Sequence, residues 1–278
     1  MDNMPIIEVR NLYTAFDDIF IHEDLSLKIF PNRIITIIGA SGSGKTTLLR
    51  AILALQPPVS GEIIIAGNQI SDFNIENPKT KSMLSKLGMM FQHGALFSSL
   101  SVLENVMYPL KEYTDFSKDT IAEIARLKLK LTGLDEVSYN KYPQELSGGM
   151  LKRVALARTL ALDPEVIFLD EPTTGLDPSS ADSLDELIKD LQTQLSLTVV
   201  MITHDLNSIW NISDEIIYIG DKKILLHDTL YNATNNKDIP ALYQYFNGMR
   251  ATIVKNYYSS HNTTSHKKDS HGEINDER

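Results

Sequence analysis

An α/β fold, built on parallel strands joined by helical crossovers, is predicted by three features of this sequence. Short β-rich runs alternate with helical patterns along most of the chain, the signature of a parallel sheet. The runs IITII (34–38), VIFLD (166–170) and TVVMIT (198–203) are apolar at successive positions, as strands buried on both faces must be. A glycine-rich loop, Gly39-Ala40-Ser41-Gly42-Ser43-Gly44-Lys45-Thr46, separates the first of these runs from an apolar helix pattern over Thr46–Leu55.

Taken in order, the strands read as Ile6–Arg10, Ile34–Ile38, Glu62–Ala66 (between Gly61 and Gly67), Gly88–Gln92, Val166–Asp170, Thr198–Thr203 and Glu215–Ile219. Between His93 and Asp163 only helical patterns occur: Val102–Leu110, Thr120–Leu131 and the run after Leu146-Ser147-Gly148-Gly149-Met150. We therefore expect a core of residues 1–92 and 164–238 that carries an inserted helical subdomain, 93–163. Another helix opens at Asp177, a suitable cap, with Pro178 in its first turn. Leu184, Leu187, Ile188, Leu191 and Leu195 make its apolar stripe. Residues 239–258 form a C-terminal extension, in which Leu242, Tyr245, Phe246, Met249 and Ile253 share a helical face and Gly248 weakens the helix. The polar tail 259–278 is expected to be disordered. It holds His261, His266 and His271, and incidental histidines on a floppy tail outweigh a metal role.

Composition narrows the function. The chain has 278 residues, 42% hydrophobic, with no cysteine and a formal net charge of −10. That excludes disulfides and thiolate metal sites and fits a cytoplasmic address. An acidic chain also argues against nucleic-acid binding. No run approaches the ~18 apolar residues of a membrane helix, and the N-terminal residues lack the pattern of a signal peptide.

The loop Gly39–Thr46 lies between a strand and a helix, the context a phosphate-binding loop requires. Its glycines let backbone N–H groups wrap phosphates, and the helix N-terminus adds a positive dipole end. Lys45 would reach the β- and γ-phosphates and Thr46 would place its hydroxyl on Mg²⁺. Thr47 completes the set assigned to the nucleotide. The strand VIFLD-E delivers Asp170 and Glu171 to its C-terminal end, where ligands of open α/β sheets bind. Asp170 is suited to support Mg²⁺ and Glu171 to orient or deprotonate a water. His204 ends the next strand and is assigned to the γ-phosphate; Gln92 ends another and is a candidate for Mg²⁺ or the water. Ser147-Gly148-Gly149 then opens a second helix as a second anion-binding turn. One triphosphate does not need two helix N-termini from one chain, so the pair points to a nucleotide held between two copies.

With these elements in this order, residues 6–228 resemble the nucleotide-binding subunit of ABC transporters. The resemblance implies a P-loop NTPase fold with a mixed sheet, ATP and Mg²⁺ as ligands, and a homodimer that sandwiches two ATP molecules head to tail. It identifies Gly39–Thr46 with the Walker A loop, Val166–Asp170 with Walker B and Glu171 with the catalytic glutamate. Gln92 matches the Q-loop glutamine, Ser147-Gly148-Gly149 the signature, Asp177 the D-loop aspartate and His204 the switch histidine. The adenine-stacking aromatic falls at Phe16, with Tyr13 as the alternative. Met150 departs from the usual glutamine, and a thioether cannot make an amide's hydrogen bonds.

LSGGM, FQHGALF and ENVMYPL are similar to one branch, the ATPases of Mla/Mce-type transporters, which move phospholipids between the inner and outer membranes of Gram-negative bacteria. That resemblance implies peripheral attachment at the cytoplasmic face of the inner membrane. It also implies an integral-membrane permease docked around Gln92–Met107, a STAS-domain partner and an MCE-domain protein. Exposed Phe97, Leu100 or Leu103 would mark the docking groove. The extension at 239–258 either reaches a partner or packs on its own domain. An ABC ATPase for another cargo, such as amino-acid or ion import, is the alternative. A soluble ABC protein acting on DNA or ribosomes is disfavoured by the single cassette and the acidic charge.

Overall fold

The computed structural model describes residues 4–70, 73, 74 and 76–262. Elements are numbered in chain order. Six strands form the central sheet: β3 (Ile34–Gly39), β6 (Leu87–Met90), β7 (Val166–Asp170), β8 (Thr198–Ile202), β9 (Glu215–Gly220) and β10 (Lys223–Thr229), in the order β10-β9-β3-β8-β7-β6. All neighbours are parallel except β9 and β10, so the sheet is mixed. A second, antiparallel sheet runs β2-β1-β4-β5, from β1 (Ile7–Phe16), β2 (Ile19–Ile29), β4 (Ser60–Ile65) and β5 (Asn68–Gln69).

The apolar runs of the central strands divide by parity, as side chains alternate along a strand. Ile35, Ile37, Val166, Phe168, Val200 and Ile202 face α1 (Lys45–Ile52) and the antiparallel sheet. Ile34, Ile167, Leu169, Val199 and Met201 face the other way, toward α5 (Gly148–Thr159) and α6 (Pro178–Leu195). Burial on both sides accounts for the lack of polar alternation. The remaining α-helices before the extension are α2 (Pro78–Leu84), α3 (Val102–Tyr113), α4 (Lys118–Leu131), α7 (Leu206–Ile212) and α8 (Leu230–Asn235). Helices α3, α4 and α5 share one apolar cluster, in which Val106, Leu129 and Val154 are 0% exposed. No residue from 91 to 165 lies in a strand.

The structure departs from the sequence reading in several places. Strands β2, β5 and β10 and helices α2, α7 and α8 are not among the predicted elements. In β2, Leu25, Leu27 and Ile29 are buried while Ser26 and Lys28 are exposed, an alternation the sequence does carry. The fourth predicted strand stops at Met90, leaving Gln92 in the following loop. On α6, Asp177 caps and Leu184, Ile188 and Leu191 are buried, but Leu195 is 40% exposed. After α8 (Leu230–Asn235), the extension is not one continuous helix. It breaks at Gly248 into α9 (Pro240–Asn247) and α10 (Met249–Asn262). Leu242 and Phe246 are fully buried, whereas Met249 is 87% and Ile253 68% exposed. The Gly248 amide closes the last turn of α9 on the Gln244 carbonyl, but its backbone is extended (φ −65°, ψ 166°), so the expected single apolar stripe is interrupted there. Helix α10 continues through Asn262, past the predicted start of the tail; residues 263–278, with His266 and His271, lie outside the described residues. Among the described residues no helix is long and apolar enough to cross a membrane.

Candidate functional site

The loop from β3 to α1 is shaped by two glycines that admit no side chain. A Cβ on Gly39 would lie 2.5 Å from the Ile219 carbonyl oxygen, and one on Gly44 (φ 94°) would lie 2.4 Å from His22 Nε2. The backbone therefore passes close to its neighbours at both ends of the loop. Gly44 is also the N-cap of α1 and offers no capping side chain, and the first turn carries no acid. The helix N-terminus thus keeps its positive end for an anion. Ala40, Ser41, Gly42 and Thr46 are exposed along the loop, Ser43 is half-buried, and Thr47 is buried beneath it. Lys45 Nζ donates to the Gly39 and Ala40 carbonyls, each at 2.9 Å. Burial lowers its pKa, against the opposing pull of Glu171 and Asp170.

Strand β7 brings Asp170 and Glu171 to the same sheet edge. Burial, then the adjacent Glu171, raises the Asp170 pKa, while Arg50, Lys45 and Lys152 oppose the rise. Glu171 adopts a left-handed backbone (φ 49°), a strained conformation for a residue with a side chain. Its amide donates to the Ile202 carbonyl at 2.8 Å. Its Oε1 lies 2.7 Å from His204 Nδ1, and its Oε2 accepts from Thr174 Oγ1 (3.1 Å) and Thr203 Oγ1 (3.4 Å). A cavity of about 460 Å³ gathers Gly39, Ala40, Ser41, Lys45, Glu171 and His204. Strand ends far apart in sequence thus meet at one place. The arrangement offers backbone and ammonium donors for an anion and, facing them, a carboxylate in contact with an imidazole.

The other predicted residues are not part of this cavity's lining. Ser147 is exposed and caps α5, accepting from the Met150 amide at 3.3 Å. Gly148 and Gly149 lie against Leu176 and Ser180, beside Asp177. Neither Ser147 nor these glycines line the cavity at Lys45. Asp177 accepts from the Ser180 amide (3.1 Å) and hydroxyl (2.6 Å), contacts that lower its pKa. Phe16 ends β1 at the tip of the hairpin whose β2 residues Ile21 and His22 touch Gly44; it is 46% exposed. The alternative, Tyr13, packs edge-on against Phe20.

Two participants escaped the sequence reading. Lys152 is only 7% exposed, and its ammonium donates to the main-chain carbonyls of Gln92 and, at 3.2 Å, Glu171. Burial lowers its pKa. Because α5 is buried nearly all round, it has no polar face against which a buried lysine would stand out. Tyr245 lines the same cavity and donates to the His204 carbonyl at 3.2 Å.

Fold and site together define an ATP-binding cassette, an enzyme that binds and hydrolyses ATP. The chain belongs to the ABC transporter family, whose description, "ABC transporter", matches residues 22–174. It is similar to the intermembrane phospholipid transport system ATP-binding protein MlaF of Haemophilus influenzae, 38% identical over 85% of this chain and 89% of that protein. MlaF of Escherichia coli K12 is 35% identical over 88% of this chain and 89% of its own length. A probable ribonucleotide transport ATP-binding protein, mkl of Mycobacterium tuberculosis H37Rv, is 35% identical over 88% of this chain but only 67% of its own length. Among solved structures, the dimeric bacterial ABC transporter cassette MJ0796 superposes with a TM-score of 0.72 at 32% identity, over 81% of this chain and 98% of the cassette. CbiO1 of Clostridium perfringens gives 0.76 at 26% identity, over 92% and 100% of the two chains.

Proposed function

We propose that this chain is the ATP-hydrolysing subunit of a transporter that moves phospholipids between the inner and outer membranes of a Gram-negative bacterium. It works as a homodimer at the cytoplasmic face of the inner membrane. The observation that carries the cargo assignment is the likeness to MlaF across 89% of that protein's length. The ribonucleotide-transport relative extends well beyond the matched region, which favours the phospholipid reading over that second one. Import of amino acids or ions has no comparable support.

In the proposed site, Gly39–Thr47 wrap the triphosphate and Lys45 exchanges its loop carbonyls for phosphate oxygens. Phe16 stacks on the adenine. Mg²⁺ would be held by Thr46, Asp170 and Gln92, and when bound it neutralises charge on the phosphates. The fit is chemical: all three offer oxygen, with one carboxylate among them. Among the described residues no cluster of three or more His, Cys, Asp or Glu side chains could hold a metal. A site that completes its shell with waters and substrate phosphate suits Mg²⁺. Glu171 orients the attacking water and accepts its proton, while His204 spans from the Glu171 carboxylate to the γ-phosphate. Ser147, Gly148 and Gly149 complete the site of the sister subunit, and Asp177 lies beside them at the subunit boundary. Support comes from the dimeric state of the MJ0796 relative and from the position of Ser147 outside its own chain's cavity.

The permease would dock in an aromatic groove of about 300 Å³ lined by Phe91, Phe97, Tyr108 and Tyr113. These four are 40–48% exposed, and the Phe97 and Tyr108 rings meet at a 49° tilt with centroids 4.7 Å apart. Leu100 and Leu103 are only half-exposed, so Phe97 carries the docking role expected of the three. A STAS-domain protein and an MCE-domain protein complete the proposed complex. Purifying the tagged chain from membranes and identifying the bound subunits and lipids tests this. A permease with an MCE-type protein and phospholipid is expected; a soluble binding protein with no lipid would overturn the cargo.

A further inference from the structure

Helix α9 belongs to the C-terminal extension, beyond the matched family region, yet it forms one wall of the nucleotide cavity through Ala241 and Tyr245. Its anchorage is firm. Leu242 and Phe246 are 0% exposed and pack with Ile38, at the end of the strand that feeds the phosphate loop, and with Ile209 of the helix that follows His204. The Tyr245 ring meets the Phe246 ring edge-on at 5.1 Å. From this fixed platform the Tyr245 hydroxyl donates to the His204 main-chain carbonyl at 3.2 Å.

His204 needs such support. Its side chain is 78% exposed, so packing does little to orient the ring. Among the described residues the ring's one polar contact is Nδ1 with Glu171, a group that must itself act on water. The residues on either side are tied down locally: Thr203 Oγ1 bonds Glu171 and accepts from the Asp205 amide, and Asp205 caps α7 at Asn207. The carbonyl of His204 is held from outside that turn, by the extension.

We propose that Tyr245 is a positioning residue for His204, by which the C-terminal extension holds the switch histidine in register with Glu171 and the phosphate loop. The proposal rests on the reading of His204 as the γ-phosphate contact. Burial pushes the Tyr245 hydroxyl up to about 12, so it stays protonated and able to donate throughout the working pH range.

The test compares ATP turnover of the full-length chain with the variants Y245F, H204A and the double substitution. Y245F keeps the ring and removes only the hydroxyl. It should retain the melting temperature and the KM for ATP while lowering kcat about 2- to 10-fold, the range of one hydrogen bond. In the H204A background, Y245F should cause no further loss, because it acts through His204. Wild-type kcat in Y245F overturns the proposal, as does an equal additional loss in the H204A background, which would mean an independent role. A fully active H204A would instead refute the underlying assignment of His204, so the two failures are told apart.

Discussion

Replacing Lys152 by Met removes a buried ammonium while keeping an unbranched apolar stem of similar length. Two charge-assisted hydrogen bonds disappear, one to the Gln92 carbonyl and one, at 3.2 Å, to the Glu171 carbonyl. Hydrogen bonds to charged groups contribute about 1.5–3 kcal/mol each. Relief from desolvating the ammonium offsets part of that loss, so we expect a net destabilisation of about 2–4 kcal/mol. For a chain of this size that is a fall of roughly 5–15 °C in Tm. The effect on rate has a separate origin. Gln92 and Glu171 lose their shared anchor, and a displacement near 1 Å costs up to ~100-fold in turnover. KM for ATP should barely change, since Lys45 and its loop are untouched. Thermal melting and steady-state ATPase kinetics of K152M check both parts. Wild-type Tm together with wild-type kcat would refute the role of the buried ammonium as the link between these two segments.

Two further outcomes are expected. Asp185 is 1% exposed, its Oδ1 has no hydrogen-bond partner among the described residues, and burial raises its pKa from 3.8 to about 7, with Ser208 opposing the rise and Asp205 and Asp182 adding to it. A folded-state pKa above the unfolded one means the ionised carboxylate costs stability above pH 7, and the cost fades as pH falls from about 7 toward 4. At about 1.4 kcal/mol per pH unit the full cost is about 4 kcal/mol. D185N should therefore melt higher than wild type at pH 8.5 and equally at pH 4; an equal gain at both pH values contradicts the buried-carboxylate account. E171Q should bind ATP and accumulate as an ATP-bound dimer on a sizing column, and retained wild-type turnover would remove Glu171 from the role of base.

The parts of the site legible in the sequence are those whose chemistry demands fixed residue types at fixed spacing. A phosphate cradle needs small residues where a Cβ would strike Ile219 or His22, and a lysine at the helix start; Gly39, Gly44 and Lys45 show this directly. The central strands were legible because burial on both faces leaves an unbroken apolar run. Strand β10 was not, because it lies at the sheet edge and is only half-buried. Lys152 was hidden because its partners are main-chain carbonyls, which leave no trace in side-chain patterns. Tyr245 falls on the apolar stripe of the extension, and its ring does pack, but the hydroxyl at its end finds a carbonyl 41 residues away in sequence. The break at Gly248 was visible only as a weakness in a helix.

In the proposed homodimer each nucleotide is held by Lys45 of one subunit and Ser147 of the other. A mixed dimer of one S147R chain and one K45A chain tests it most directly. Each variant alone should be inactive as a homodimer. Sites shared between chains leave the mixed dimer one intact pair, the Lys45 loop of the S147R chain facing Ser147 of the K45A chain, so ATP turnover should return. If each site were built within one chain, both would be damaged, and a mixed dimer no more active than either homodimer would contradict the account.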